Sequence, residues 1–437
     1  MLGDHQGRAN LASGRCTLMK IAYLCADRGI PVLGDKGASV HVREFVSALA
    51  GLGHEVTLLC AKQGTGNPCP PVRMIELPPD ESADEMALEA AQLGMGNEEK
   101  DQTLQRELGK LACDRKLAAR VLRALDQAGV QPDLLYERYA LFHRAGGQVA
   151  TALNIPLMLE VNAPLAEEQE RFRGLRLKAL ADATETETLC RSDHVIAVSA
   201  AVREHALARG ALGERVTVLP NGVDTSRFHP GVDGGPVRER YELDGRPVIG
   251  FIGSLKPWHG LDFLLDAFTD ILTRRPDAAL LLVGEGPALI DLQARVARDQ
   301  LHGRVILTGR IPHADIPAYL AAMDITVAPY TAQDGFYFSP LKVVESLAAG
   351  RPVVAPRLGQ LTDLLQDGVT GLLYPPGDRD IFVNQVIELL NDVPRLRAMS
   401  HAAAAAARED FGWDKTALRA TEIMMRLRAP RAAGSGR

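Results

Sequence analysis

Short apolar runs alternate with longer stretches of helical period along almost the whole chain. In the first half these runs are Ile21–Cys25, Val56–Cys60, Met74–Leu77, Leu134–Tyr136, Leu157–Val161, Val195–Val198 and Val216–Leu219. In the second half they are Val248–Ile252, Ala279–Val283, Val305–Leu307, Ile325–Ala328, Val353–Ala355 and Leu372–Tyr374. Most are continuous rather than alternating, as strands buried on both faces require. The helical stretches between them imply right-handed βαβ units and parallel sheets. Two such series in tandem predict an α/β protein of two Rossmann-like, doubly wound domains.

Residues 80–129 break the alternation. They are acidic at first (DESADE), helical by pattern and poor in strands, so a helical insertion in the first domain is expected. NGVDTSRFHPGVDGGP, residues 221–236, has prolines, glycines and no apolar period, and reads as a linker. The chain then divides into a first domain, 19–225, a second, 226–410, and a last helical segment, 411–428. Met19 stands directly before the first apolar run. Residues 1–18 are therefore expected to be a disordered extension, or Met19 the natural start, and they lack the apolar core of a signal peptide. The tail 429–437 is expected to be loose.

Composition narrows the function classes. The 437 residues are 46% hydrophobic and 24% charged, an ordinary globular balance. Lys plus Arg number 49 against 55 Asp plus Glu, a formal charge of -6, which argues against nucleic acid as the partner. No apolar run reaches the roughly 18 residues needed to span a bilayer. Six scattered cysteines without a C-x-x-C pair argue against a disulfide framework or a zinc ribbon. A cytoplasmic setting is expected.

In open parallel sheets ligands bind beyond the carboxyl ends of the strands, and four segments stand there. GDKGASVHVREF, residues 34–45, has Gly34 and Gly37 before a helix whose free amides would attract an anion. Its spacing is not G-x-G-x-x-G, and a plain strand-to-helix turn reads as well. GFIGSLKPWHG, residues 250–260, brackets Lys256, Trp258 and His259. Lysine can meet a phosphate as a point charge, whereas a lone histidine here is more readily structural. VGEGP, residues 283–287, is ordinary turn chemistry. DGFYFSPLKVVESLAAGRPVVAP, residues 334–356, carries most. Ser339 is the expected N-cap and Pro340 the first helical residue, with the helix ending at Gly350. The free amides of Ser339–Leu341 would suit a diphosphate. Glu345, about one and a half turns in, would accept ribose hydroxyls, or is a solvated helical carboxylate. Asp378 and Asp380 form a D-x-D, but Asp378 opens a helix and reads as its cap, so no metal is expected. Phosphate-loop, H-E-x-x-H and G-x-S-x-G motifs are absent from the sequence.

With these segments in place, the chain resembles a retaining, family-4 (group 1) glycosyltransferase of the GT-B fold. The matches run in order from Met19: the Gly37 loop, GHEV at 53–56, VIAVSAAV at 195–202 and LPNGVDTSRFHP at 219–230. GFIGSLKPWHGLDFLLDAF, LLLVGEGP, the Glu345 helix with AAGRPVVAP, DGVTGLLYPPGD at 367–378 and FGW at 411–413 follow. The resemblance implies two domains facing across a cleft. It implies an acceptor on the first, a nucleotide-diphospho-sugar, expected to be a UDP-sugar, on the second, and a last helix returning to the first. The sugar would be transferred with retention. The nucleotide-sugar is a co-substrate, and no separate cofactor or metal is implied. The resemblance places Gly37 near the diphosphate and Glu345 on the ribose.

Four positions depart from the family pattern. Ser254 stands where an Arg is usual and His259 where a Lys is usual, Tyr337 replaces the first Glu of E-x7-E, and Asn162 replaces a His at the end of an acceptor-side strand. Lys256 and Lys342 are the cations left to answer the diphosphate. Catalytic roles are therefore expected for Lys256, Tyr337 and Asn162. Donor contacts are expected at Gly37, Ser254, His259, Ser339, Pro340, Leu341, Lys342 and Glu345. EVNAP and YERYALFHRAGG follow first-domain strands and put Arg138, His143 and Glu160 on the acceptor side. The acceptor class, whether glycan, lipid-linked sugar or small molecule, stays open, as does the oligomeric state. Two alternatives stay open as well: a nucleotide-sugar-binding subunit without catalysis, and another GT-B enzyme such as a nucleotide-sugar epimerase. ERFRGLRLKAL, residues 170–180, gathers Arg171, Arg173, Arg176 and Lys178. As a basic helix it would touch anionic lipid on the inner face of a membrane; as a solvated face it would not.

Overall fold

The computed structural model describes residues 18–95, 101–331, 337 and 339–428. The other stretches, including most of the expected extension 1–18, the expected tail 429–437 and much of the segment before Ser339, lie outside the described residues. The chain forms two compact units. One runs up to Pro220 and takes in the chain again from Asp414; the other is Asn221–Trp413.

The first unit holds seven parallel strands: β1 (Lys20–Cys25), β2 (Glu55–Cys60), β3 (Arg73–Glu76), β4 (Leu134–Arg138), β5 (Leu157–Val161), β6 (His194–Ala197) and β7 (Val216–Val218). Their order is β3-β2-β1-β4-β5-β6-β7, so the winding reverses between β1 and β4. Period-2 pleating divides each strand between two faces. Leu24, Leu59 and Leu135 pack under Val121 and Leu125 of the helix Gln102–Gln127. On the opposite face Tyr23 stacks on Tyr136 at 5.1 Å, and Phe45 of the helix Gly37–Gly51 lies against both. The strand-poor stretch forms two helices, Ala83–Gln92 and Gln102–Gln127. Ser82 and Glu85 close the first with a capping box, and Asp101 caps the second. The last helix, Trp413–Arg428, joins this unit from Asp414 onward; Thr421 meets His54 Nε2 at 3.0 Å.

The second unit holds six parallel strands: β8 (Val248–Ile252), β9 (Ala279–Val283), β10 (Val305–Leu307), β11 (Ile325–Val327), β12 (Val353–Pro356) and β13 (Gly371–Tyr374). Their order, β10-β9-β8-β11-β12-β13, reverses between β8 and β11. Val248, Leu281 and Val283 enter one hydrophobic core, while Ile249, Phe251, Leu280 and Leu282 enter the other. Residues pointing both ways are apolar, which is why these runs are continuous in the sequence. Each fully buried large aliphatic side chain adds about 1.5–3 kcal/mol.

Two expectations need correction here. The stretch 221–236 is not a slack linker. Val223 exchanges backbone hydrogen bonds with Phe411 and Trp413, and Phe228 is buried in the core of the second unit. The basic stretch 170–180 is not one helix. Gly174, with φ +78°, separates the helix Leu165–Arg173 from Lys178–Arg191. Three of its cations are answered locally: Arg173 by Glu168, Arg176 by Asp101, and Lys178 by Glu170 and Asp182. A run so paired offers little net charge to a lipid surface. No described helix is long and apolar enough to cross a membrane.

Candidate functional site

In the second unit the carboxyl ends of β8 and β9 carry two loops packed backbone to backbone. Gly253 donates to the carbonyl of Val283 at 2.9 Å, and Leu255 to that of Glu285 at 2.9 Å. The helix Leu341–Ala348 follows β11. Its cap is Pro340, not Ser339. The serine hydroxyl is engaged elsewhere: it accepts the backbone N–H of Asn221 at 3.2 Å, while the Asn221 amide donates to the Ser339 carbonyl at 2.9 Å. Pro340 is extended, so the helix starts one residue later than expected, at Leu341. The first amides of that helix, Leu341 and Lys342, have no intrahelical partner and make an anion-binding end.

Glu345 is not solvated. It is buried, and its Oε1 accepts from His313 Nε2 at 2.7 Å. His313 in turn lies 5.6 Å from the ring of Phe228, itself carried on the NGVD turn. The segment 221–228 thus steers both ends of the helix site, Ser339 through Asn221 and Glu345 through Phe228 and His313. No part of the apolar pattern signals His313, a single histidine in the loop after β10.

In the Gly253–Gly260 loop, Ser254 is exposed and its carbonyl faces Nδ1 of His259 at 2.5 Å. His259 is buried against Phe251 and Tyr330. Burial, helped by the nearby Lys342 and Lys256, pushes its pKa down to about 2, which favours the neutral imidazole over a cation in this loop. Lys256 Nζ lies 4.8 Å from the Trp258 ring. Tyr337 is half-buried just before the helix. Lys342 sends its amine over the faces of Phe251, at 4.2 Å, and Tyr330, at 5.4 Å. Asp378 caps its helix by accepting from Ile381. Among the described residues no group of three His, Cys, Asp or Glu side chains is placed to hold a metal ion.

The first unit has its own polar centre. Glu160, at the end of β5, accepts from His41 Nε2, Tyr136 OH at 2.7 Å, Arg138 at 2.8 Å and Asn162 Nδ2 at 2.5 Å. Burial pushes this carboxyl up, but His41, Arg138 and Asn162 outweigh it and hold the pKa well below the usual carboxylate range. The structure brings Arg138, Glu160 and Asn162 together. It adds His41, which the sequence hides among the valines of an amphipathic helix start. His143 does not join them. Its Nδ1 lies 3.3 Å from Asp114, whose carboxylate also accepts the amides of Arg144 and Ala145. The pleat of β4 explains the split: Tyr136 and Arg138 face Glu160, whereas Glu137 points the other way, toward Gly146 and Asp114. Gly37 is the first residue of its helix in the first unit, so a different body carries it from the one that carries the helix site.

Comparison with known proteins places each unit. Residues 36–227 match the family model described as Glycosyltransferase Family 4, and residues 246–392 match that of Glycosyl transferases group 1. A GDP-mannose-dependent alpha-(1-6)-phosphatidylinositol monomannoside mannosyltransferase of Mycolicibacterium smegmatis is 36% identical over 219 residues, 49% of this chain and 57% of that protein. The lipopolysaccharide core biosynthesis mannosyltransferase LpsB of Rhizobium meliloti is 32% identical over 209 residues, 46% of this chain and 58% of that one. The aligned part of the chain therefore spans somewhat more than half the length of these relatives. The crystal structure of Anabaena HepE in complex with UDP superimposes with a TM-score of 0.69 at 21% identity, covering 93% of this chain and 100% of that one. With one family match on each parallel sheet and a solved structure superimposing over nearly the full length, the chain belongs to the group 1, family 4 glycosyltransferases of the GT-B fold.

Proposed function

We propose that this protein transfers a sugar from a nucleotide-diphospho-sugar to an acceptor hydroxyl, with retention and without a metal. The observation that carries the reading is the helix Leu341–Ala348, which sets first-turn amides without an intrahelical partner one turn from a buried carboxylate, Glu345, held by His313. Amides and carboxylate so spaced suit a diphosphate and a ribose in turn. The acceptor hydroxyl attacks on the face the leaving group vacates, and the departing phosphate takes its proton. A preorganised donor aimed at the developing charge contributes about 3 kcal/mol. UDP is the expected leaving nucleotide, and the relative named for GDP-mannose makes GDP the first competitor.

The test is incubation with UDP-glucose, UDP-N-acetylglucosamine and GDP-mannose across an acceptor panel, following nucleoside diphosphate release and the anomeric configuration of the product. Acceptor-dependent release with a retained linkage is expected. Tight donor binding without release would favour a binding subunit, for which the neutral His259 and the changes at Ser254 and Tyr337 are the grounds. A changed sugar without transfer would favour an epimerase.

His313 gives a further prediction. His313→Leu leaves Glu345 buried without its donor and should weaken nucleoside diphosphate binding about tenfold, the value of one charge-assisted hydrogen bond. His313→Gln, which still donates, should recover most of that affinity in titration calorimetry. Equal affinity in all three proteins would remove His313 from the site.

A further inference from the structure

Ser254 and His259 stand where the resemblance implies cations, and burial pushes His259 toward its neutral form. We infer that the ammonium of Lys342, reaching from the helix Leu341–Ala348 to the β8 loop, is the group that meets the donor diphosphate in their place. The inference rests on the donor-site reading above.

The geometry is specific. A Cβ added to Gly253 would lie 2.7 Å from Lys342 Nζ, so the amine sits directly against the loop backbone in the space that the missing side chain leaves. The residue as a whole is half-buried, but Nζ is shut off from solvent and has no hydrogen-bond partner among the described residues. The faces of Phe251 and Tyr330 support a cation but do not accept its hydrogen bonds. An ammonium has three donors and no acceptor capacity. Left unanswered in such surroundings it costs free energy, and a diphosphate oxygen would answer it. The amides of Leu341 and Lys342, which have no intrahelical partner, open the same helix. Buried amine and helix end thus point independently to one anion.

The groups acting on this amine are Glu345 on its own helix and Lys256 and His259 on the loop, with Tyr330 from beyond β11 packed against it. Burial pushes the amine down to about 7, partly opposed by Glu345 and reinforced by Lys256. A bound diphosphate raises it again, so binding takes up a proton at and above neutral pH. Affinity is therefore full below about pH 7 and falls as pH rises beyond it.

Calorimetric titration with UDP-glucose and GDP-mannose provides the test, since their diphosphate diesters do not titrate in this range. Uridine and guanosine are the controls without a diphosphate. Lys342→Met fills the same apolar channel. It should cost on the order of 30-fold in affinity for whichever nucleotide-sugar binds and leave nucleoside affinity unchanged. It should also flatten the pH dependence between 6.5 and 8.5. Adding His259→Lys to Lys342→Met should restore at least part of that loss, because it returns a cation to the loop. Two results would overturn the inference alone: Lys342→Met binding as tightly as the wild type, or losing nucleoside and nucleotide-sugar equally. A wild-type protein that binds neither nucleotide-sugar would overturn the donor-site reading and this inference with it.

Discussion

Replacing Glu160 by alanine should destabilise the first unit by about 3–5 kcal/mol, the cost of stranding a buried charge whose partner is gone. Arg138, His41, Tyr136 and Asn162 all converge on this carboxylate, and Glu160 and Arg138 are both buried. Glu160→Gln keeps the shape and one acceptor oxygen but removes the charge, so it should lose less than alanine and still lose most of the pairing with Arg138. The pH dependence follows from the sign of the shift. The folded pKa lies below the unfolded value of about 4.3, so the stabilisation is complete above that value and disappears as pH falls through the lower folded one. Glu160→Gln should lack that acid-sensitive portion. Both tryptophans, Trp258 and Trp413, lie in the second unit, so indole fluorescence is the wrong probe. Hydrogen exchange of peptides from β1, β4 and β5 is the right one. Unchanged protection there in Glu160→Ala would mean the cluster does not hold this unit together.

Such a centre is only half visible in a sequence. Glu160 and Asn162 stand out because they sit at the end of an apolar run, where ligands gather in parallel sheets. Their partners do not. His41 sits between Val40 and Val42 on a helix whose period accounts for it equally well as a core residue. His143 stands a few residues beyond Arg138, which ends β4, yet the pleat sends the two neighbourhoods to opposite faces. Sequence distance along a loop does not carry that sign. The strands themselves are legible: each apolar run overlaps one of β1 to β13, because most of these strands are buried on both faces and so mainly apolar.

The second unit shows the same division. The Glu345 helix was legible from its proline and its terminating glycine, but its start was misplaced by one residue. Capping preference describes an isolated serine, and Ser339 is already bound by Asn221, more than a hundred residues earlier in the chain. For the same reason 221–236 reads as a linker: its prolines and glycines are real turn signals, whereas the bonds of Asn221 and Val223 to Ser339, Phe411 and Trp413 are tertiary. His313 left no mark at all, since one hydrogen bond to a distant carboxylate has no period.

VGEGP reads as punctuation, yet its first glycine admits no side chain. Gly284 has φ +143°, and a Cβ there would lie 2.0 Å from the carbonyl oxygen of Gly253 and 2.9 Å from its carbon. Neither atom belongs to a flexible side chain, so the loop backbone itself must move. Gly284→Ala therefore adds overpacking, about 1–3 kcal/mol, to a backbone conformation that costs a side chain about as much again. A destabilisation of about 3–5 kcal/mol is expected, read from indole fluorescence in urea because Trp258 and Trp413 report on this unit. Gly303→Ala is the control. Gly303 also has positive φ, +71°, but nothing lies within 4 Å of its added Cβ, so only the conformational cost of about 1–2 kcal/mol applies. Nucleotide-sugar binding separates the two variants further. Gly253 is the residue against which Lys342 Nζ rests, so displacing its peptide should weaken the donor site at least tenfold in Gly284→Ala and leave it unchanged in Gly303→Ala. If the two alanines cost the same in stability and in binding, the close approach of the β8 and β9 loops is not what positions that amine.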